Sequence, residues 1–301
     1  MEVVALAGGT GSAKLLRGLA GSKCRLTVVA NIGDNAWMHG LYVCPDIDIA
    51  LYTLAGVANR RRGWGIQGDT FAALRQLRRL GEEAWFSLGD RDLATHILRT
   101  KWLREGETLT EVTDRLRRAF RVRMKVLPVS DSHLETRILT EYGELGLQEF
   151  WVRDKGRPKV IGVRYAGVAR MTRAVSDSLS SADRIIVCPA NPVTSIGPLL
   201  AVRGVRKALS SVRAKVTAVS PMIGSSPFSG PAGRLLNAIA RRPDSLGVAG
   251  LYNDFARRIF IHRSDSGLVP AITQLGMECR LSETRMTGPS SERRLARELM
   301  E

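Results

Sequence analysis

The sequence predicts an α/β protein with a Rossmann-like, doubly wound and mainly parallel sheet, helices on both faces and a smaller mixed helical and antiparallel subdomain. Two observations indicate this class. Short, continuous apolar segments typical of strands buried on both faces alternate with helical segments. Each of these strands runs into a loop rich in glycine, proline or polar residues. The expected strands are Val3–Ala7, Leu26–Ala30, Ile185–Cys188 and Val216–Val219.

The first predicted strand is followed at once by a glycine-rich turn, Gly8–Ser12, and then by a helical segment that includes Lys14–Leu19. Glycines let the backbone approach an anion, and a helix N-terminus directs unpaired N–H groups at it. The spacing matches neither the dinucleotide fingerprint nor the Walker A motif. We therefore expect a phosphate site, and a tight turn without a ligand is the alternative.

Polar segments follow the second strand. Asn31–Asn35 comes directly after it, so its side chains are expected at the carboxyl edge of the sheet, where open α/β proteins bind ligands. Alone, this segment is also compatible with an ordinary Asx turn. Pro45–Ala50 begins a helix with Asp46 and Asp48 in its first turn. Capping explains one aspartate, and the second indicates a metal or hydroxyl ligand.

Two further loop-to-helix junctions are Trp64–Phe71 and Leu88–His96. Within the second, Gly89–Asp92 places an anion-binding arginine between two carboxylates. This arrangement favours a binding role. The alternative is a capped helix with a local ion pair, which contributes about 0 to 1 kcal/mol when exposed.

The middle of the chain, about residues 92–175, is expected to be a subdomain of a single domain that spans residues 1–301. It combines helical segments with alternating, antiparallel-like ones at Gln148–Val152 and Val160–Tyr165. No repeat or flexible linker divides the chain. The segment Glu292–Glu301 is expected to be a charged terminal helix.

Two later loops complete the candidate site. Cys188–Pro198 follows a strand and precedes a helical segment, Leu199–Leu209, so Thr194, Ser195 and nearby backbone N–H groups are candidates for a second phosphate or nucleotide contact. The loop Ser220–Pro231 is equally compatible with a lid and with a plain connector.

Composition narrows the class of protein. A chain of 301 residues with 44% hydrophobic residues can bury a full core. The net charge of +16 favours anionic partners such as nucleotides. Without an apolar stretch of about 18 residues or a signal-peptide pattern, we expect a soluble, cytoplasmic protein with no membrane partner. The four cysteines lie far apart, which indicates neither a disulfide framework nor a zinc site.

The histidines, His39, His96, His133 and His262, are scattered, and none has the spacing of a Ser/His/Asp or Cys/His nucleophilic site. Covalent catalysis is therefore not expected. Phosphoryl transfer depends instead on positioning and charge neutralisation, for which the chain has phosphate loops, acidic residues and arginines.

In this order, the segments resemble the 2-phospho-L-lactate transferase family of coenzyme F-420 biosynthesis, its phosphoenolpyruvate-transferring variants included. The resemblance covers nearly the whole chain. The matching segments are Gly8–Gly11 with Lys14–Leu16, Asn31–Asp34, Pro45–Asp48, Trp64–Gly65 with Asp69–Phe71, Leu88–His96, Asn191–Pro198 and Ser220–Gly233.

The resemblance implies a magnesium-dependent, Rossmann-like transferase. Its donor would be guanosine-diphospho-lactate or the enolpyruvyl analogue. The acceptor would be the ribityl hydroxyl of 7,8-didemethyl-8-hydroxy-5-deazariboflavin. The products would be GMP and the first phosphodiester intermediate of the coenzyme. Related enzymes suggest a homodimer. Which three-carbon acid is carried is not predicted.

The resemblance also implies site residues. Asp48, Asp90 and Arg91 would contact the deazaflavin. We hypothesise that Asp34 and Asp48 share a magnesium ion and act in catalysis, Asp48 also orienting or partly deprotonating the attacking hydroxyl. Asn35 stands where many family members have a second acidic residue. The residues implied for the nucleotide phosphates are Gly8, Gly9, Thr10, Gly11, Lys14, Asn191, Thr194, Ser195 and Gly197.

Three other functions are compatible with parts of this pattern. A non-catalytic regulator that binds nucleotide sugars would share the fold. A nucleic-acid-binding protein would explain the charge, but the sequence has no recognition motif or aromatic platform, so no specific nucleic-acid partner is expected. An NAD-dependent oxidoreductase would need the dinucleotide fingerprint, which is absent.

Overall fold

The computed structural model describes residues 1–228 and 230–301. The strands within them are β1 (Glu2–Ala7), β2 (Arg25–Ala30), β3 (Ala36–Met38), β4 (Leu41–Val43), β5 (Lys125–Pro128), β6 (Glu135–Thr140), β7 (Gly143–Gly146), β8 (Val160–Ala166), β9 (Arg184–Val187), β10 (Val216–Val219), β11 (Met222–Ile223), β12 (Ser226–Pro227), β13 (Arg258–His262) and β14 (Glu278–Ser282). The α-helices are α1 (Gly9–Ala20), α2 (Pro45–Leu54), α3 (Ala72–Arg79), α4 (Asp90–Arg104), α5 (Leu109–Ala119), α6 (Arg173–Ser181), α7 (Ile196–Ala201), α8 (Val205–Ser211), α9 (Ala232–Ala238), α10 (Ser245–Tyr252), α11 (Val269–Gln274) and α12 (Pro289–Met300).

A seven-stranded parallel sheet forms the centre, in the order β14-β13-β10-β9-β1-β2-β5. Its central strands are apolar and buried on both faces because helices cover the sheet. From β1 the chain builds outward to β2 and β5, and from β9 outward in the other direction. The strand order therefore reverses between β1 and β9, which creates a crevice at their carboxyl ends. The predicted fold class is confirmed.

The predicted strands match β1, β2, β9 and β10 to within one residue at each end. The helical segment expected over Leu199–Leu209 is two helices, α7 and α8. Gly204 lies between them with φ +98°, a left-handed conformation that interrupts a continuous helix. The terminal helix begins three residues earlier than expected, with Pro289 in its first turn.

The middle of the chain contributes a three-stranded antiparallel sheet in the order β7-β6-β8. Strand β5 also lies in this range, but it belongs to the central sheet. The alternating segment Val160–Tyr165 is β8, as expected. Gln148–Val152 is not a strand: Glu149–Arg153 forms a turn of π-helix that buries Phe150.

Buried side chains of the middle segment, such as Ile138 and Phe150, belong to the same hydrophobic cluster as Leu6 in β1. No helix in the described part of the chain is both long and apolar enough to cross a membrane.

Candidate functional site

The turn between β1 and α1 is shaped by close approach to two other segments. Gly9 has φ +67°, which favours glycine. A Cβ at Gly8 would lie 2.7 Å from Asp46 Oδ2 and 2.8 Å from Ser195 Cβ, and one at Gly11 would lie 2.1 Å from the carbonyl oxygen of Pro189. These glycines are therefore needed where the turn, α2 and the loop after β9 meet.

The loop after β9 is folded by Asn191, whose side-chain oxygen accepts hydrogen bonds from the backbone N–H groups of Val193 (2.9 Å) and Thr194 (3.3 Å). This loop and the glycine turn line a cavity of about 190 Å³ at the crevice between β1 and β9. We call it the phosphate cavity. Its lining includes Gly8, Gly9, Thr10, Gly11, Asp34, Gln148, Trp151, Asn191, Thr194, Ser195, Phe228, Gly230 and Pro231.

Two predicted phosphate-binding residues lie outside this lining. The Lys14 Nζ donates a hydrogen bond to the carbonyl oxygen of Met286 (3.1 Å) beside an adjoining cavity of about 430 Å³. Gly197 is required by packing, since a Cβ there would lie 1.9 Å from the Tyr165 hydroxyl oxygen. Direct phosphate contacts by Lys14 and Gly197 stay predictions.

The fourth loop also borders the phosphate cavity. Strands β11 and β12 form a short antiparallel hairpin in it. Phe228, Gly230 and Pro231 line the cavity, whereas Ser229 lies outside the described residues.

An amide links two carboxylates at the edge of this cavity. The Asn31 Nδ2 donates to Asp34 Oδ1 (3.1 Å) and to Asp46 Oδ2 (2.9 Å). The other oxygen of Asp46 accepts from the Gly9 backbone N–H (2.6 Å). We call Asn31, Asp34 and Asp46 the Asn31 cluster. It joins the end of β2 to the start of α2 and to the glycine turn.

Both carboxylates of the Asn31 cluster resist ionisation. Burial, together with the charge of Asp46, raises the pKa of Asp34 well above its usual value. Burial raises the pKa of Asp46 to about 6, although hydrogen bonds from Asn31 and Gly9 oppose the rise. Neither carboxylate forms an ion pair within the described residues. No basic side chain of residues 1–228 and 230–301 therefore neutralises this cluster.

An apolar cavity of about 330 Å³ adjoins the phosphate cavity. The two share Thr10, Gln148 and Trp151. We call it the aromatic cavity. It is lined by Thr10, Val43, Pro45, Asp48, Ile49, Tyr52, Trp64, Gly65, Phe86, Ser87, Leu88, Asp92, His96, Gln148, Trp151 and Val152.

Asp48 lies in the lining of the aromatic cavity with both oxygens bound by an arginine. The Arg99 Nη1 donates to Asp48 Oδ2 (3.0 Å), and the Arg99 Nη2 contacts Asp48 Oδ1. Burial alone would lower the pKa of Arg99, but Asp48 raises it, so the guanidinium stays charged. The structure therefore connects Asp48 with Arg99, and Asp34 with Asp46.

Three more polar side chains extend this ion pair. The Arg99 Nη1 lies 3.1 Å from His96 Nδ1, and the Tyr52 hydroxyl donates to Asp92 Oδ1 (2.6 Å). Burial disfavours the charged form of Asp92, but contacts with His96 and Tyr52 outweigh it and hold the pKa of Asp92 below its usual value. We call Asp48, Tyr52, Asp92, His96 and Arg99 the Arg99 cluster. Arg99 was not predicted as a site residue, because it lies 51 residues from Asp48 and no local motif marks it.

Asp90 and Arg91 do not line the aromatic cavity. The Asp90 carboxylate accepts hydrogen bonds from the backbone N–H groups of Ala72 and Ala73 (2.9 Å each) and from the Thr70 hydroxyl. Asp90 therefore caps the N-terminus of α3. The Thr70 contact and then these N–H groups lower the pKa of Asp90. Arg91 is exposed, with Nη1 3.4 Å from the carbonyl oxygen of Gln67. Their contact with a ligand stays a prediction.

A third cavity, of about 280 Å³, lies on the other side of Asp34. Its walls include Trp37, Tyr42 and Trp85, and it shares Asp34, Leu147 and Gln148 with the phosphate cavity. Gln148 consequently lines all three cavities. Within residues 1–228 and 230–301, no three His, Cys, Asp or Glu side chains are grouped as a ready metal site.

A family model described as 2-phospho-L-lactate transferase CofD matches residues 3–262. The 2-phospho-L-lactate transferase of Methanothermobacter thermautotrophicus is 40% identical over 300 residues, covering 99% of this chain and 97% of the relative. The enzyme of that name from Methanosarcina acetivorans is 39% identical over 298 residues, covering 98% of this chain and 96% of the relative.

A phosphoenolpyruvate transferase of Streptomyces griseus is 36% identical over 311 residues, covering 100% of this chain and 98% of the relative. A crystal structure of a UPF0052 family member from Bacillus halodurans has the same fold, with a TM-score of 0.68, 15% identity and coverage of 100% and 99% of the two chains. Because the family model spans most of the sequence and these relatives align over nearly all of it, the chain belongs to the 2-phospho-L-lactate transferase family.

Proposed function

We propose that this protein transfers a phospholactyl or phosphoenolpyruvyl group from a guanosine-diphospho donor to the ribityl hydroxyl of 7,8-didemethyl-8-hydroxy-5-deazariboflavin. In this reaction the ribityl oxygen bonds to the phosphorus that carries the three-carbon acid. The bond from that phosphorus to the bridging oxygen breaks, and GMP leaves with this oxygen. The hydroxyl proton passes to a carboxylate or to solvent.

One observation carries the proposal: the phosphate cavity and the aromatic cavity share a wall formed by Thr10, Gln148 and Trp151. The first has glycine turns and backbone N–H groups suited to a diphosphate. The second has aromatic walls suited to a flat heterocycle and polar groups suited to a polyol chain. A phosphoryl donor and an alcohol acceptor bound there would be neighbours.

The Asn31 cluster fits a magnesium ion. Two carboxylates with raised pKa values and no cationic partner are a set of oxygen ligands that Mg²⁺ prefers, and Mg²⁺ takes its remaining ligands from water and phosphate. We place the ion on Asp34 and Asp46, since both oxygens of Asp48 bind Arg99. When bound, magnesium would neutralise charge on the diphosphate.

Asp48 keeps a role at the acceptor in this proposal. Its carboxylate lines the aromatic cavity, and Arg99 fixes the orientation of the carboxylate. A fixed carboxylate can accept a hydrogen bond from the ribityl hydroxyl and orient its oxygen for attack, a contribution of about a hundredfold or more in rate.

The test is an assay with the full chain, magnesium, the deazaflavin alcohol and either guanosine-diphospho-lactate or its enolpyruvyl analogue. We expect the deazaflavin to gain the mass of the phospho-acid while an equal amount of GMP appears. The donor that reacts faster identifies the acid carried. Unchanged deazaflavin with both donors would overturn the proposal, and tight binding of a nucleotide sugar in the same preparation would indicate a regulator.

A further inference from the structure

One buried nitrogen in the lining of the aromatic cavity has no hydrogen bond. His96 is 1% exposed, and none of residues 1–228 and 230–301 forms a hydrogen bond with its Nε2. Asp92 Oδ1 lies 3.3 Å from this nitrogen without the alignment of a hydrogen bond. Leaving a buried polar group unsatisfied costs about 1 to 3 kcal/mol, so an unpaired nitrogen beside a cavity indicates a ligand group.

The contact with Arg99 determines which nitrogen of His96 carries the proton. A guanidinium has only donors, and the Arg99 Nη1 has two hydrogens. Its two shortest contacts are Asp48 Oδ2 (3.0 Å) and His96 Nδ1 (3.1 Å), ahead of the Tyr42 carbonyl oxygen (3.4 Å), so we assign one hydrogen to His96 Nδ1. The Nδ1 is then unprotonated. The ring is therefore neutral with its proton on Nε2, and this Nε2–H is the group that lacks an acceptor.

Asp92 adds an acceptor beside this donor. Its Oδ1 already accepts a hydrogen bond from the Tyr52 hydroxyl, and within the described residues no donor binds its Oδ2. The polar groups around the His96 ring come from α2 and α4. They are Asp48 and Tyr52 on α2, and Asp92 and Arg99 on α4.

We propose that His96 Nε2–H and the Asp92 carboxylate together bind one hydroxyl group of the acceptor's polyol chain. A hydroxyl both accepts and donates a hydrogen bond, so it matches this donor and acceptor pair. A carbonyl would satisfy only His96, and an ammonium only Asp92. The inference rests on the proposed function, because it assigns the aromatic cavity to the deazaflavin alcohol.

Two substitutions separate this role from a structural one. In His96→Asn, the amide oxygen replaces Nδ1 as the acceptor for Arg99, but the donor at the Nε2 position is lost. In His96→Gln, an amide N–H reaches the Nε2 position, but the contact with Arg99 is lost. A structural role through Arg99 predicts that Asn is the better tolerated residue, whereas hydroxyl binding predicts that Gln is.

The experiment measures acceptor binding by deazaflavin fluorescence, and KM for acceptor and donor separately, in the full chain. We expect His96→Asn to weaken acceptor binding and raise acceptor KM about five- to tenfold, the effect of one lost hydrogen bond, with donor KM unchanged. His96→Gln should stay within about twofold of wild type. His262→Gln, on β13 outside these cavities, is the matched control. If His96→Asn binds the acceptor as tightly as His96→Gln does, the proposal is overturned.

A spectroscopic readout is independent of turnover. In the full chain with ¹⁵N-labelled histidine, the His96 signals, identified by their loss in His96→Asn, should be those of a neutral ring protonated at Nε2. Adding the deazaflavin alcohol should shift the Nε2 signal. A ring protonated at Nδ1 would overturn the proposal. If wild type neither binds nor converts the deazaflavin, the proposed function fails, and the tautomer result still stands by itself.

Discussion

Two aspartates at the start of α2 have opposite surroundings, although only one residue separates them. Asp46 points to the glycine turn, has a pKa raised to about 6 and has no cationic partner among the residues that the structure describes. Asp48 points to α4, where Arg99 binds both of its oxygens. Because successive helical residues are rotated by about 100°, residues two apart lie on nearly opposite sides. One helical turn thus serves two sites, and only one of them is neutralised by the protein itself.

The contrast suggests that the two clusters do different work. Arg99 neutralises Asp48, so this ion pair can act as a fixed wall of the aromatic cavity. The Asn31 cluster is deficient in positive charge, so it favours a bound cation.

Breaking the ion pair between Asp48 and Arg99 should cost more stability than any other change considered. Arg99→Met removes the partner of Asp48 and leaves a buried carboxylate uncompensated, so we expect a loss of about 3 to 5 kcal/mol in the free energy of unfolding. Urea denaturation measures it. Arg173→Met is the control, since Arg173 is 94% exposed and its ion pair is weak. A loss below about 1 kcal/mol in the free energy of unfolding of Arg99→Met would remove the contrast between the two clusters.

Removing a carboxylate from the Asn31 cluster should affect activity and leave the fold intact. We expect Asp34→Asn to lower turnover about a hundredfold or more, because magnesium loses a charged ligand. The response of the rate to added magnesium should weaken as well. Asp177→Asn, on the exposed surface of α6, is the matched control. Wild-type magnesium dependence in Asp34→Asn would exclude Asp34 as a ligand.

Acid should compete with magnesium at the Asn31 cluster. Since burial raises the pKa of Asp46 to about 6, protons occupy this carboxylate below that pH and must leave before a cation binds. We expect the apparent magnesium affinity, measured by calorimetry, to rise with pH through pH 6 and to level off only when Asp34, whose pKa is also raised, has lost its proton. Below pH 6, the affinity should fall about tenfold per pH unit for each proton displaced. An affinity independent of pH between 5 and 7 would contradict the assignment.

The smallest expected effect is on stability without magnesium. A carboxyl group whose pKa is raised by folding, here from 3.8 to about 6 for Asp46, favours unfolding above pH 6, and this penalty disappears as the pH falls to 3.8. Asp34→Asn removes the negative charge that repels the ionised Asp46 carboxylate. At pH 8 and without magnesium, its Tm should therefore equal or slightly exceed that of wild type, and magnesium should no longer raise it. A clearly lower Tm would show that Asp34 stabilises the fold.

Local patterns predicted the β1–α1–β2 unit and the two loops at the crevice because apolar strands, glycine turns and helix starts are encoded within a few residues. The partners within each cluster were not predictable in this way. Arg99 meets Asp48 across 51 positions, and Gln148 lies directly before a π-helical turn in a segment whose sequence alternates like a strand. The opposite directions of Asp46 and Asp48 were available from helical geometry alone. Because Asn31 links Asp46 to Asp34, they favour Asp46 over Asp48 as the partner of Asp34 in the proposed magnesium site.

The position of Gln148 has a consequence for the order in which ligands bind. Its side chain borders the phosphate, aromatic and third cavities, so the first ligand to contact it restricts its rotamers. Ordering a glutamine side chain costs up to about 1.5 to 2 kcal/mol of entropy, and a second ligand that uses the same rotamer does not meet this cost again. Donor and acceptor would then bind with positive, reciprocal cooperativity through a single uncharged side chain.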